Sequence, residues 1–379
     1  MKILYIIHST KRDGSTLSFL RMIEGQCAIG NRCIVAGPTC TPFLANALLQ
    51  LGVPFYPVNV VDSIYPEMII SFKGIILYFL KLLNLFKRKR RFVKQLDKLI
   101  TTERPDIIHT NVGVIHEGLK VANSFGKPHV WHIREYQDKD FNWKFFPSKK
   151  SFISQLHRSN VVTISRDLHK YFSLEDIGSK ARTIYNGIFH EQQVTLQWPK
   201  EKYFLMSSRI SPEKGHEDVI RAFAVVQQRI NDISLVILGD GDSSYVAKLK
   251  DLAVDFGCDS AIKWMGYQQD VMSYMSKARA LIVGSFFEGF GRMTAEACFS
   301  GCLVIGRNTG GTAEILGDTG GYLYEDHKGL VDSMIEVASL SQSDYMQLAN
   351  KAQSVAKELY SIESNTRKIN EFYLDILKQ

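Results

Sequence analysis

Two carboxylates eight residues apart, Glu288 and Glu296, fall within Ser285-Phe286-Phe287-Glu288-Gly289-Phe290-Gly291-Arg292-Met293-Thr294-Ala295-Glu296-Ala297. This run follows an apolar strand-like segment at 280–283 and leads into a helical pattern. Its two glycines let backbone approach a ligand, and the start of a helix offers free N–H groups to an anion. Carboxylates on such a loop and on the helix behind it can accept hydrogen bonds from sugar hydroxyls. The alternative is structural, with Glu288 capping the helix and Glu296 a surface charge.

A second cluster, Ser208-Arg209-Ile210-Ser211-Pro212-Glu213-Lys214-Gly215, follows a strand pattern at 203–207. Arg209 as a planar fork and Lys214 as a point charge, held by a turn that proline stiffens, suit a diphosphate. Solvated loop charges are the plainer alternative. Gly239-Asp240-Gly241 and Gly310-Gly311-Thr312-Ala313-Glu314 are further close-approach turns, each weak alone. In the first half, Trp131-His132-Ile133-Arg134-Glu135 closes a strand, so His132 is expected to face a ligand cleft or else to be structural.

These residues need strands that end together. Short continuous apolar runs at 3–7, 33–36, 106–109, 128–132 and 161–164 read as strands, with helical patterns at 16–28 and 42–51. The second half repeats the theme, with strands at 203–207, 234–238, 280–283 and 302–305 and helices at 216–230, 243–256, 293–300 and 343–358. Apolar strands alternating with helices indicate a parallel sheet covered on both faces. The expected fold is therefore α/β, two Rossmann-like halves facing across a cleft, with ligands at the carboxyl ends of the strands. Tyr185-Asn186-Gly187-Ile188 marks the junction, giving domains 1–187 and 188–360.

Charge divides at the same place. Residues 1–190 carry 27 Lys and Arg against 14 Asp and Glu, a balance of +13, whereas 191–379 carry 19 against 25, a balance of −6. The 45% hydrophobic and 22% charged content excludes disordered and fibrous classes. Six cysteines without a CxxC pair argue against a zinc site or disulfide framework and fit a reducing compartment. Ile3-Leu4-Tyr5-Ile6-Ile7 is too short for a signal peptide core, so a cytoplasmic location is expected. Cys298 and Cys302, four apart, read as small buried residues.

Residues 69–91 stand apart. At 100° per residue, Lys73, Lys81, Asn84, Arg88 and Arg91 form one narrow polar stripe on an otherwise apolar helix. Lysines at a bilayer centre would cost about 2.5–3.5 kcal/mol each, which argues against a transmembrane span. An interfacial helix ending in Lys87-Arg88-Lys89-Arg90-Arg91 fits peripheral attachment to an anionic membrane, with Ile69, Ile76, Phe79, Leu80, Leu83 and Phe86 facing lipid or the sheet. No nucleic-acid recognition module is visible, so a nucleic-acid partner is not expected.

Taken together, Glu288 with Glu296, Arg209 with Lys214, the Asn186-Gly187 junction and the strand-end His132 resemble family 4 retaining glycosyltransferases of the GT-B fold. The resemblance implies transfer of a sugar, with retained anomeric configuration, from a nucleotide-sugar donor to a glycan or lipid-linked acceptor in cell-surface polysaccharide synthesis. By it, Arg209 and Lys214 hold the donor diphosphate, Glu296 the ribose and Glu288 the transferred sugar, while the amides near Phe290 and Gly291 touch the donor and His132 lies near the sugar. Gly14, in Asp13-Gly14-Ser15 where many members carry a glycine pair, is assigned to the phosphate or acceptor. No metal or other cofactor is implied, and residues 361–379 form a helix crossing back onto the first domain. The place of action is the cytoplasmic face of the plasma membrane. Other readings are a nucleotide-sugar epimerase of the same fold and a non-catalytic glycosyltransferase-like subunit.

Overall fold

The computed structural model describes residues 1–66 and 71–378. The chain forms two compact units, Met1–Gly187 with Ile362–Gln379, and Ile188–Ser361. Ile69, assigned above to the amphipathic helix, lies outside the described residues.

In the first unit, β1 (Lys2–Ile6), β2 (Arg32–Gly37), β3 (Phe55–Pro57), β4 (Ile107–Thr110), β5 (His129–Ile133), β6 (Asn160–Thr163) and β7 (Ala181–Thr183) form a parallel sheet in the order β3-β2-β1-β4-β5-β6-β7. The register sets Leu4 beside Ile34 on one flank and Ile108 on the other. Both faces are dry. Ile3, Tyr5, Phe19 and Val35 pack on one side, and Leu4, Ile34, Phe92 and Leu96 on the other. This is why the strands read as unbroken apolar runs rather than alternating ones.

The helix Ile362–Leu377 belongs to this unit and lies along the helix Gly14–Ala28. Gly25 permits the approach, since a Cβ there would sit 1.7 Å from the Thr366 hydroxyl. Gln26 Nε2 donates to the Thr366 carbonyl (3.0 Å), and Arg182 pairs with Asp375 (2.6 Å).

The amphipathic helix runs Phe72–Glu103, beyond the basic run where the sequence pattern ends. Its second half covers the sheet through Phe92, Leu96, Leu99 and Ile100. Its first half does not. Ile76, Phe79, Leu80, Leu83 and Phe86 are each about half exposed, so covering the sheet is not what these residues do. The run 87–91 is not uniformly solvated either. Lys89 turns inward to Glu117 (2.7 Å) and Ser63, because at about 100° per residue it sits roughly 40° from Leu85 and 60° from Phe92, on the buried face. Among the described residues, no helix is long and apolar enough to cross a membrane.

The second unit holds β8 (Tyr203–Ser207), β9 (Ser234–Leu238), β10 (Ile262–Gly266), β11 (Ala280–Val283), β12 (Leu303–Arg307) and β13 (Tyr322–Tyr324), parallel in the order β10-β9-β8-β11-β12-β13. Phe204, Leu235, Ile282 and Ile305 are buried on one face, and the alternating Leu205, Val236, Leu281 and Val304 on the other. Cys298 and Cys302 are buried free thiols, but Cys302 lies past the end of the helix Arg292–Phe299.

Candidate active site

In the second unit the loops leaving β8, β9, β11 and β12 lock together at the carboxyl ends of the strands. Gly215, at φ +72°, faces the Gly284 carbonyl so closely that a Cβ would approach to 2.3 Å. Gly239 abuts the Ser208 carbonyl in the same way, and Gly311 that of Phe290. Backbone bonds seal these contacts, with Phe286 N donating to the Glu213 carbonyl (3.0 Å) and Gly311 N to that of Glu288 (2.8 Å). The weak glycine turns of the sequence are thus the close approaches that bring four loops into one layer.

That layer joins the two motifs. Lys214 Nζ donates to Glu288 Oε2 at 3.0 Å, both side chains about three-quarters buried. Arg292 Nε donates to Glu296 Oε1 at 2.7 Å, which orients the carboxylate from one turn earlier on the same helix. Arg209 stays largely exposed, its Nη2 on Glu213 Oε1 (2.5 Å), where the Ser211 hydroxyl also donates (2.7 Å). Burial raises the Glu213 carboxyl, but these hydrogen bonds bring it below its ordinary value, so it remains an anion fixing the Arg209 fork. Phe290 is buried, while Gly291, at φ +88°, begins the helix Arg292–Phe299.

Helix starts around this sheet fall into two kinds. After the central strands β8, β11 and β12 the capping positions are Gly215, Gly291 and Thr309, and no side-chain cap is made at any of them. After the flanking strands β9, β10 and β13 they are Asp242, Asp270 and Asp326, each accepting a bond from its own helix. Open N–H groups and the positive helix end attract anions, and a carboxylate cap removes both. The centre of the sheet is therefore prepared for negative charge.

In the first unit His132 is fully buried, contrary to an open strand-end position. Adjacent parallel strands β4 and β5 bring His109 beside it, with Nε2 to Nδ1 at 3.1 Å, and the Tyr373 hydroxyl lies 2.7 Å from His109 Nδ1. Arg134 Nη2 is 3.5 Å from His132 Nδ1. Burial first, then the Arg134 charge, hold both imidazoles well below their ordinary pKa, so both are neutral. His109 and Arg134 both present N–H to His132 Nδ1, which assigns that nitrogen as acceptor and places the proton on Nε2. Among the described residues His132 Nε2 has no partner. Arg134 also binds Asn186 (2.6 Å), which gives the junction asparagine a role inside this unit.

Beside it, Glu135 accepts from Gly113 N (3.1 Å). Part of the residue reaches solvent, but its carboxyl is enclosed, and burial above all pushes it up to about 8. Gly14 opens the helix Gly14–Ala28, whose start is occupied by Asp13, accepting from Thr16 N (2.8 Å) and the Ser9 hydroxyl (2.6 Å). It lies in the first unit, whereas Arg209 and Lys214 lie in the second.

Sequence reading placed Glu288, Glu296, Arg209 and Lys214 but missed their internal partners. Arg292 was visible as an i, i+4 match to Glu296, and Glu213 as one to Arg209. Tyr373 had no such signal, being 264 residues from His109.

Two doubly covered parallel sheets, with glycine-tight loops and open helix starts on the second, define the GT-B class of α/β proteins. Residues 189–355 match the family described as Glycosyl transferases group 1. Over 245 residues the chain is 26% identical to an uncharacterised glycosyltransferase of Methanocaldococcus jannaschii, covering 58% of this chain and 61% of that one. Over 154 residues it is 29% identical to the N-acetylgalactosamine-N,N'-diacetylbacillosaminyl-diphospho-undecaprenol 4-alpha-N-acetylgalactosaminyltransferase of Campylobacter jejuni, 40% of this chain and 37% of the other. The matches thus span less than two thirds of these curated relatives. Among solved structures, Anabaena HepE in complex with UDP superposes with a TM-score of 0.78 at 20% identity, covering 99% of this chain and all of that one.

Proposed function

We propose that the protein is a retaining hexosyltransferase that moves a sugar from a nucleotide-sugar donor to a glycan or lipid-linked acceptor, in cell-surface polysaccharide synthesis. The observation that carries this reading is the Lys214–Glu288 pair set among helix starts left open after β8, β11 and β12. It supplies adjacent groups for the two halves of a donor, a cation for the diphosphate and a carboxylate for the sugar hydroxyls. Arg209 adds a second cation, Glu296 a ribose acceptor, and the amides near Phe290 and Gly291 further donors. The bond from the anomeric carbon to the diphosphate oxygen breaks, the bond to the acceptor oxygen forms, and the acceptor proton goes to the departing diphosphate. Cations and helix ends meet the charge that develops there, so transfer is expected to continue in excess chelator. His132 Nε2 is assigned as a hydrogen-bond donor to a sugar oxygen.

The exposed apolar row Ile76, Phe79, Leu80 and Leu83, with Lys87, Arg88, Arg90 and Arg91 beyond it, supports peripheral attachment to an anionic membrane surface on the cytoplasmic side. The Campylobacter relative, named for a diphospho-undecaprenol acceptor, supports a lipid-linked one. Thermal unfolding with UDP, GDP and ADP sugars tests the donor. A bound donor at a hundredfold excess over Kd stabilises by about 2.7 kcal/mol. Proton NMR of the product then gives the anomer. No stabilisation by any donor, or an inverted product, would defeat the reading.

A further inference from the structure

The polar stripe of the helix Phe72–Glu103 is exposed, and part of it forms one wall of a groove. Lys81, Asn84 and Arg88 line this open groove of about 830 Å³, walled also by the loop 60–66 and the segment 141–144. Backbone pairing of Tyr65 N with the Lys144 carbonyl (3.0 Å) and an Ile64–Phe145 bridge hold these two walls together. A second cavity of about 420 Å³ continues from Asn84 and Arg88 to Arg91 and to Pro38 and Thr39, just past the carboxyl end of β2. The groove therefore opens at the sheet end where parallel α/β sheets take ligands.

Its chemistry is specific. Among the described residues, no ion pair within 4.0 Å engages Lys81, Arg88, Arg91 or Lys144, so cations converge with no carboxylate salt-bridged to them. Phe141 and Trp143 stack at 4.4 Å and 22° on the wall, with Phe141 52% exposed, a flat apolar platform of the kind a sugar ring covers. Asp62 is the carboxylate in the lining. It feels His8 on one side and Arg88 on the other, and His8 in turn feels Arg134, the residue beside His132.

We infer that this groove binds the acceptor, and that the acceptor is a phosphate-bearing glycan, its phosphate on Lys81 and Arg88 and a sugar ring on Trp143. The inference rests on the glycosyltransferase reading and adds to it the acceptor's charge and place.

The test uses the full chain carrying Arg209→Ala and Lys214→Ala, so that the donor clamp takes no part, titrated calorimetrically with inorganic pyrophosphate and with glucose 1-phosphate. Both are expected to bind, and Lys81→Gln with Arg88→Gln to weaken both about tenfold or more. Trp143→Ala is expected to weaken glucose 1-phosphate more than pyrophosphate. Unchanged affinity in the Lys81/Arg88 variant, or no binding of either probe, overturns the proposal. So does binding only to phosphatidylglycerol vesicles through the same two residues, which would make the groove a headgroup contact. Donor stabilisation of the Lys81/Arg88 variant, measured in parallel with the clamp intact, separates the two claims. Retained donor binding with a silent groove removes only the acceptor site, and absent donor binding with an active groove removes only the donor reading.

Discussion

The two units present the same kind of sheet end but equip it with different groups. In the first, side chains close most helix starts, with Asp13 on Thr16, Thr41 on Leu44, Ser71 on Gly74, Ser148 on Ser151 and Ser165 on Leu168, while His116 after β4 and Gln137 after β5 make no side-chain cap. Its recognition groups are side chains instead, His132 Nε2 and the cations of the groove. In the second, the starts behind the central strands stay open while aspartates close the flanking ones. The difference teaches that a sheet end can be made anion-binding by leaving caps out, and that an acidic cap is as informative as a basic side chain.

The largest effect should come from removing the cations at that open centre. Arg209→Ala with Lys214→Ala is expected to cost about 2–5 kcal/mol of donor binding, read by titration, with unfolding temperature little changed. Next come the carboxylates. Glu288→Gln should lower kcat about a hundredfold, since it loses a charge fixed by Lys214 at the reacting sugar, whereas Glu296→Gln should mainly raise the donor KM by about tenfold. Equal mild effects on both would mean a structural pair and no division of labour.

The caps allow a direct attack on the comparison. Thr309→Asp supplies the start of the helix Gly310–Thr319 with the carboxylate that its flanking neighbours have. It should weaken donor affinity about tenfold without destabilising the fold. The converse, Asp326→Ala, removes the bond to Gly329 N (2.8 Å) and should cost about 1 kcal/mol of stability while leaving donor affinity alone. If Thr309→Asp binds donor normally, open helix ends play no part.

In the first unit the test is pH. His109 and His132 have folded pKa values far below their unfolded ones, and burial lowers His116 and His129 to about 3. Below about pH 6.5 the unfolded chain binds these protons and the folded one does not, so stability falls as pH drops from 7 towards 5. Glu135, raised to about 8, works in the other direction over the same range, but it is one group against several. Differential scanning calorimetry should show the unfolding temperature rising from pH 5 to 7. Tyr373→Phe, which removes the hydroxyl beside His109, should lower kcat severalfold and move its pH profile, whereas a purely packing role would leave the profile in place. The smallest effect is expected at the membrane. Replacing Phe79 and Leu80 by Ser should reduce sedimentation with anionic vesicles without altering donor binding, and no vesicle binding by the unmodified chain at low salt would remove that proposal.

Much of this architecture was legible because both sheets are buried on two faces. Strands at 203–207, 234–238 and 280–283 coincide with β8, β9 and β11 to the residue, each an unbroken apolar run. The short edge strands Phe55–Pro57, Ala181–Thr183 and Tyr322–Tyr324 were not, since three residues beside a sheet edge need no such run. In the site, residue types were legible and their pairing was not. Lys214 meets Glu288 only because Gly215 lets two loops touch, and the periodicity that drew the stripe through Lys81 and Arg88 could not say that the loop 60–66 and the segment 141–144 would form a groove beside it.

The helix Ile362–Leu377 carries a consequence for biosynthesis. It supplies Tyr373 and Ile369 to a core whose other members lie before residue 188, so the whole second unit is translated before the first can close. At about 5–20 residues per second, that leaves the first sheet without its last helix for roughly ten to forty seconds on the ribosome. During this interval His109 lacks its tyrosine and Gly25 its neighbour, while the second unit is free to fold as soon as it emerges. The part of the chain made first is thus the part finished last, and the exposed flank of the helix Gly14–Ala28 is where a nascent chain would need protection.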